Sequence, residues 1–240
     1  MILAKKSLGQ NFLKSERALN LIVETGEISP EDFVLEIGPG HGALTEKILA
    51  KGASVLAVEK DDNLFLELSK KFQKEINSKK LELVHGDILD FNVSKTSLKG
   101  REYKLIANIP YNITGAIFRK FLSEVSVHEL PKRMVLLVQD EVARRIVAKD
   151  KKESLLSISI KAYGSPLYIE KVLAGSFVPS PKVDSAIICI ENISKVFFKN
   201  FSEDNFFSLL NTGFHHKRKM LVSNLSENFG RERVEKVFHK

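Results

Sequence analysis

The chain has 240 residues, 43% hydrophobic and 28% charged, with 37 Lys and Arg against 30 Asp and Glu for a net charge of +7. This is ordinary globular usage, which excludes global disorder and leaves one large domain, or a main domain with an appendage, as the expected organisation. Its single cysteine, Cys189, excludes an internal disulfide and a Cys-ligated metal site, so the chain reads as one made for a reducing compartment. Lys5 and Lys6 precede any apolar stretch, and the longest apolar runs, Met134–Val138 and Ala186–Ile190, fall far short of the ~20 residues that span a bilayer. A soluble cytoplasmic protein with no resident metal and no membrane partner is expected. The positive excess points to an anionic partner, nucleic acid foremost.

Ser15 caps a predicted helix whose apolar face is Ala18, Leu19, Ile22 and Val23, stopped by Gly26. Phe33–Ile37 reads as a strand ending in glycines, Ala43–Ala50 as a helix closed by Gly52, and Ser54–Val58 as the next strand. Asp61 or Asp62 opens a helix reaching Glu75. Further strands are predicted over Leu81–Val84, Tyr103–Ala107 and Met134–Val138, with helices over Thr114–Leu122 and Glu141–Ala148. Leu155–Ala162 alternates like a strand at Ile158 and Ile160, but a parallel sheet needs crossovers, which favours helix there. Tyr168–Leu173 and Val183–Glu191 read as the last strands, joined by the rigid segment Phe177-Val178-Pro179-Ser180-Pro181. Helical runs then start at Ser202, at Lys217 (to Asn228) and at Arg231 (to Phe238). This alternation gives right-handed βαβ units and a mostly parallel sheet, an α/β fold. Residues 1–194 form the expected main domain and residues 195–240 a helical C-terminal subdomain.

Gly38-Pro39-Gly40-His41-Gly42-Ala43 places glycines where the first long strand turns into a helix, and Glu59 ends the next strand about 20 residues on, where a carboxylate can hold a ribose diol. The hexapeptide satisfies G-x-G-x-x-G/A, so taken alone it leaves a nicotinamide enzyme and an S-adenosyl-L-methionine (SAM) enzyme both open. Gly86-Asp87-Ile88 ends the third strand on the same edge, where Asp87 either accepts an adenine amine or caps a turn. Asn108-Ile109-Pro110-Tyr111 ends the fourth with an amide oxygen, free carbonyls and a π face, which together suit a flat base with an exocyclic amine.

On these residues, with Leu8-Gly9-Gln10-Asn11-Phe12-Leu13, Glu141-Val142-Ala143-Arg144-Arg145, Phe177 through Ala186 and Lys217-Arg218-Lys219, the chain closely resembles the ribosomal small-subunit RNA adenine dimethyltransferases, the KsgA family. The resemblance covers nearly the whole chain. It implies a class I SAM-dependent methyltransferase, a Rossmann-like seven-stranded sheet with its last strand antiparallel and a small helical C-terminal domain. It also implies dimethylation of N6 on two adjacent adenosines near the 3′ end of small-subunit rRNA, in a pre-ribosomal particle, by a monomer. Carried over, Asn11, Leu13, Gly38, Gly40, Glu59, Lys60, Asp87, Ile88 and Asn108 are the cofactor set. Asn108 and Pro110 sit at the reacting amine, and Tyr111 stacks on the flipped base. Phe177 is either its second wall or a buried residue before a proline turn. The chain departs from the family pattern at Asp150-Lys151-Lys152-Glu153-Ser154, and it stops at Lys240 where family members continue through a further helical segment, which implies a C-terminal domain either reduced or cut back.

Because a sulfonium methyl is already electrophilic, alignment rather than a side-chain nucleophile is required, and no catalytic His or carboxylate is assigned. The Asn108 oxygen and a carbonyl at Ile109 or Pro110 are expected to accept the two N6 hydrogens. Three basic runs, Lys5/Lys6/Lys14, Arg144/Arg145/Lys149/Lys151/Lys152 and His215 through Lys219, are expected to flank the pocket and meet phosphates. The rival readings are an Erm-like methyltransferase of large-subunit rRNA and a non-catalytic RNA-binding assembly factor.

Overall fold

Strands as apolar as Phe33–Ile37 and Met134–Val138 have no polar face to offer water, so helices must cover the sheet on both sides. The computed structural model describes residues 5, 9–150, 152–216 and 218–238. It begins with β1 (Phe12–Leu13), α1 (Glu16–Thr25), β2 (Phe33–Ile37), α2 (Ala43–Ala50), β3 (Ser54–Glu59), α3 (Asp62–Lys71), α4 (Gln73–Asn77) and β4 (Leu81–His85). The middle comprises β5 (Lys104–Asn108), α5 (Thr114–Phe118), β6 (Arg133–Gln139), α6 (Asp140–Val147) and α7 (Leu155–Lys161). Then come β7 (Ser165–Val172), β8 (Phe177–Val178), β9 (Ser185–Glu191), α8 (Glu203–Gly213), α9 (Leu221–Phe229) and α10 (Arg231–Phe238).

The seven-stranded sheet has the order β4-β3-β2-β5-β6-β9-β7, with β9 antiparallel to both neighbours and the pairings from β4 through β6 parallel. Strand alternation divides the core. Leu35, Leu105, Leu136 and Ile188 pack on one face against Ile117, Phe121, Ile146 and Ile160 of α5–α7 and the turn after α5. Val34, Ile106, Val135 and Ile187 face Leu19, Ile22, Ile48 and Leu68 of α1–α3. The expected α/β class, sheet size and antiparallel last strand all stand.

Local differences from the sequence reading have physical reasons. The helix expected from Asp62 to Glu75 breaks at Phe72, which leaves helical geometry (φ −104°, ψ 27°) and buries its ring in the core. The helix after Thr114 changes to π geometry at Arg119–Ser123, keeping Phe121 and Leu122 buried. β7 starts earlier than expected, at Ser165, because it is an edge strand and tolerates Pro166. Leu155–Lys161 is helical, capped by the Ser154 hydroxyl, which accepts the Ser157 N–H at 3.2 Å. The final helices begin at Glu203, Leu221 and Arg231; Lys217, the expected start of the second, lies outside the described residues. Among the described residues no helix is long and apolar enough to cross a membrane.

Candidate active site

The loops after β2, β3, β4 and β5 leave the sheet at one edge, and the strand order reverses between β2 and β5, the position where open α/β sheets bind ligands. A cavity of about 880 Å³ opens there. Asn11, Leu13, Gly38, Gly40, Glu59, Lys60, Asp87, Ile88, Asn108, Pro110 and Tyr111 all line it. The chain thus brings together every site residue nominated from sequence except Phe177.

Of the two places left open for Phe177, a second base-stacking wall or a buried residue before a proline turn, the structure gives it the second. β8 pairs antiparallel with β1, Phe177 opposite Leu13 and Val178 opposite Phe12. Consecutive strand residues point to opposite faces, so Phe177 turns into the core at 2% exposure while Val178 stays 48% exposed. Val178 and Pro179 line the cavity in its place. This small ribbon, which lays the N-terminal segment along the cavity, has no counterpart in the sequence reading because two-residue strands carry no periodicity.

The glycine loop bears on the two cofactor classes its hexapeptide left open. Gly38 (φ +62°) would project a Cβ into open space where it lines the cavity, and Gly40 (φ +62°) would bring a Cβ to 2.9 Å from the Phe12 ring. Three of the loop amides are spent internally: Gly38 N–H on the Val58 carbonyl at 2.9 Å, Gly42 N–H on Pro39 at 2.9 Å and Gly40 N–H on Glu59 Oε2 at 3.2 Å. A dinucleotide pyrophosphate needs such amides free. The loop is also lined by two buried acids, Glu36 and Glu59, whose oxygens can accept hydrogen bonds from a ligand.

Glu36 is the residue that sequence reasoning missed, although an acid inside the apolar strand Phe33–Ile37 was the available signal. It is 1% exposed, and its Oε2 accepts the Thr45 hydroxyl at 2.7 Å. Burial, opposed by the Thr45 bond and reinforced by the nearby Glu59 charge, pushes its pKa up to about 8. Between its ordinary 4.5 and about 8 the folded chain holds a proton that the unfolded chain has lost. Stability is therefore expected to fall across that window as pH rises, by up to about 1.4 kcal/mol per unit. Glu36→Gln is expected to flatten this slope in urea unfolding at pH 5, 6.5 and 8; an unchanged slope would place the titration elsewhere.

Glu59 at the end of β3 accepts the Gly40 N–H on one oxygen and the Asp61 N–H at 2.8 Å on the other, and burial raises its pKa. Each oxygen keeps a second lone pair for a diol. Asp87 caps a turn, its Oδ1 accepting the Leu89 N–H at 2.9 Å, and it also lines the cavity. Lys60, 2.7 Å from Asp87 Oδ2, holds that carboxyl below the usual carboxylate range.

At the end of β5, Asn108 donates its Nδ2 to the Asn11 carbonyl at 3.0 Å. A carbonyl only accepts, so this contact fixes the amide with its oxygen left as the acceptor. The Pro110 carbonyl accepts the Ile113 N–H at 3.2 Å, closing the turn that carries Tyr111. The Tyr111 hydroxyl lies 2.7 Å from Ser185 Oγ at the start of β9, so the ring is pinned at its far end, and burial pushes its pKa up.

The basic runs divide. Lys14 is exposed and lines the cavity. Lys5 is spent on Asp61 at 2.7 Å, and Arg144 on Asp140 at 3.0 Å while lying over the Tyr168 ring. Arg145 and Lys149 are exposed, and Lys219 pairs with Glu227 at 2.6 Å. Among the described residues, none of the third run lines the cavity. Lys6, Leu8, Lys151 and Lys217 lie outside the described residues.

A family model for ribosomal RNA adenine dimethylase matches residues 1–240. This chain belongs to the ribosomal RNA adenine dimethylase family. The family member is 42% identical to the ribosomal RNA small subunit methyltransferase A of Dehalococcoides mccartyi (strain CBDB1) over 227 residues, 95% of this chain and 76% of the relative. It is 36% identical to the protein of the same name from Clostridium botulinum (strain Okra / Type B1) over 238 residues, 98% of this chain and 84% of that one. The crystal structure of a dimethyladenosine transferase from Plasmodium falciparum is similar, with a TM-score of 0.75, 31% identity and coverage of 95% and 79% of the two chains. That of the 23S rRNA methyltransferase ErmE gives a TM-score of 0.76, 26% identity and coverage of 95% and 89%. The methyltransferase fold, the enzyme class and SAM as methyl donor stand as read from the sequence. Small-subunit methyltransferases reach 42% identity against 26% for ErmE, which favours the small-subunit reading over the Erm-like one.

Proposed function

We propose that this dimethylase transfers methyl groups from SAM to N6 of two adjacent adenosines near the 3′ end of small-subunit rRNA, acting as a cytoplasmic monomer on a pre-ribosomal particle. The observation that carries the reading is the Asn108 amide, turned by Asn11 so that an oxygen acceptor stands in the cavity beside the pinned Tyr111 ring. Cavity volume and lining fit the cofactor: about 880 Å³, open space at Gly38, apolar Leu13 and Ile88, and the acids Glu59 and Asp87. Glu59 would hold the ribose and Asp87 the adenine amine, with Glu36 lining the same wall.

When bound, SAM supplies an electrophilic methyl whose C–S bond breaks, with its electron pair leaving on sulfur, as the bond to N6 forms. The Asn108 oxygen accepts one N6–H, and a carbonyl of Ile109 or Pro110 accepts the other. Together they favour a pyramidal nitrogen aimed at the methyl and stabilise the positive charge that develops on it. The proton then shed by N6 passes to water, so no side-chain base is needed. A stacked adenine cannot reach this pocket, and the Tyr111 face replaces part of the stacking lost on flipping, about 1–3 kcal/mol per base. Lys14, Arg145 and Lys149 serve as phosphate contacts, and the unit 195–240 extends the RNA footprint.

Tyr111→Ala is expected to lower the rate on small subunits about 10- to 100-fold, with Tyr111→Phe close to the unsubstituted enzyme because the hydroxyl only tethers. A fully active Tyr111→Ala would place the stacking platform elsewhere. The function itself is tested by tritiated-methyl transfer from SAM to undermethylated small subunits, large subunits and naked rRNA, with nucleoside analysis. N6,N6-dimethyladenosine formed only on large subunits, or on neither, would overturn it.

A further inference from the structure

Two points of the N-terminal segment converge on one buried carboxylate. Lys5 Nζ lies 2.7 Å from Asp61 Oδ2, and Gln10 Nε2 donates to the same oxygen at 3.3 Å. The Lys5 backbone N–H donates in turn to Gln10 Oε1 at 2.7 Å. The Asp61 side chain is 0% exposed, against 42% for Lys5. Its Oδ1 already caps α3, accepting the Asn63 N–H at 2.9 Å and the Leu64 N–H at 3.3 Å. A helix cap needs one oxygen and no formal charge, as Ser and Asn show. The second, anionic oxygen is costly to bury unless something pairs with it, and only the N-terminal segment does.

Asp61 also reaches the site from its other side, its backbone N–H meeting Glu59 Oε1 at 2.8 Å. Asn11, next to Gln10, supplies the carbonyl that turns the Asn108 amide. One ion pair is therefore linked both to the candidate ribose carboxylate and to the group that sets the reacting amide.

We propose that Asp61 and Lys5 are positioning residues, a latch that holds the N-terminal segment over bound SAM and thereby keeps the Asn11 carbonyl against Asn108. The inference rests on the cavity being the SAM site described above. Lys5 is then not a phosphate contact, and closure of the segment, cofactor retention and orientation of the reacting amide rise and fall together.

Lys5→Met removes the charge at a half-exposed position and leaves the α3 cap intact. It is expected to speed release of S-adenosylhomocysteine, measured by stopped flow, about fivefold, the upper range of a partly exposed pair. It should lower kcat with no change in KM for small-subunit RNA. In the ligand-free protein it should accelerate amide hydrogen exchange over residues 9–13. Asp61→Asn should behave alike, and the double variant should release product no faster than Asp61→Asn alone, as required if the two act through each other. Unaltered release and exchange in Lys5→Met would overturn the latch, and so would a raised RNA KM as its sole effect. If calorimetry shows that the unsubstituted protein binds neither SAM nor S-adenosylhomocysteine, the reading of the cavity falls and the latch with it. Normal binding with unaltered release sinks the latch alone.

Discussion

Asn108→Ala is expected to bind SAM nearly as well as the unsubstituted enzyme while transferring methyl groups about 10²- to 10³-fold more slowly. That is the loss recorded when one preorganised polar group aimed at developing charge is removed. The side chain sits at the end of β5, whose register against β6 fixes Asn108 opposite Leu137. Its Nδ2 is committed to the Asn11 carbonyl, so Oδ1 is held as an acceptor before any substrate arrives. Alanine deletes that acceptor without opening a void in the core, because Asn108 is only half-buried. Asn108→Asp should be nearly as slow: two acceptors, the carboxylate and the Asn11 carbonyl, repel each other and lose the orientation. Single-turnover methyl transfer beside calorimetric SAM binding separates chemistry from affinity. Near-normal turnover by Asn108→Ala would remove it from the reacting site.

Gly40→Val is expected to weaken SAM binding by about 100-fold or more, an estimate from two added costs. At φ +62° an L-residue pays about 1–2 kcal/mol, and a β-branched one more. Its Cβ would also stand 2.9 Å from Phe12 Cδ1, a ring that packs on His41 at 4.4 Å. Relief requires Phe12, and with it β1, to lift away from the cavity. Gly38→Ala is the informative contrast, since its Cβ meets no protein atom within 4 Å. It should lose affinity by occupying cofactor space while its melting temperature drops less than that of Gly40→Val. Equal thermal losses in the two variants would show that Phe12 contact plays no part.

The positions of these groups were legible in the sequence to different depths, for physical reasons. β3, β5 and β6 are read easily because parallel strands buried on both faces leave apolar runs between turn residues. The motif residues Gly38, Glu59, Asp87 and Asn108 follow from the strand pattern, since each stands at a strand's carboxyl end or just beyond it. Glu36 was passed over because its significance is environmental: the same residue exposed would titrate as an ordinary carboxylate. Phe177 stayed undecided between wall and core because proximity to prolines does not reveal strand phase; pairing with Leu13 does. The charge runs were overcounted because sequence shows Lys5 and Arg144 but not Asp61 and Asp140 folded against them.

The place of β9 in the sheet has a consequence for the order of events during synthesis. β9 lies between β6 and β7, so β7 has no strand to pair with until residues 185–191 have left the ribosome. The Ser185 hydroxyl that tethers Tyr111, and the β8 strand that clasps β1, belong to the same late stretch. The first half of the chain carries the whole glycine loop, Glu59 and Asp87, yet a nascent chain released before about residue 190 lacks the strand that completes the sheet. In a chain of this build the clasp on β1 and the tether of Tyr111 therefore form only after residues 177–185 have been made.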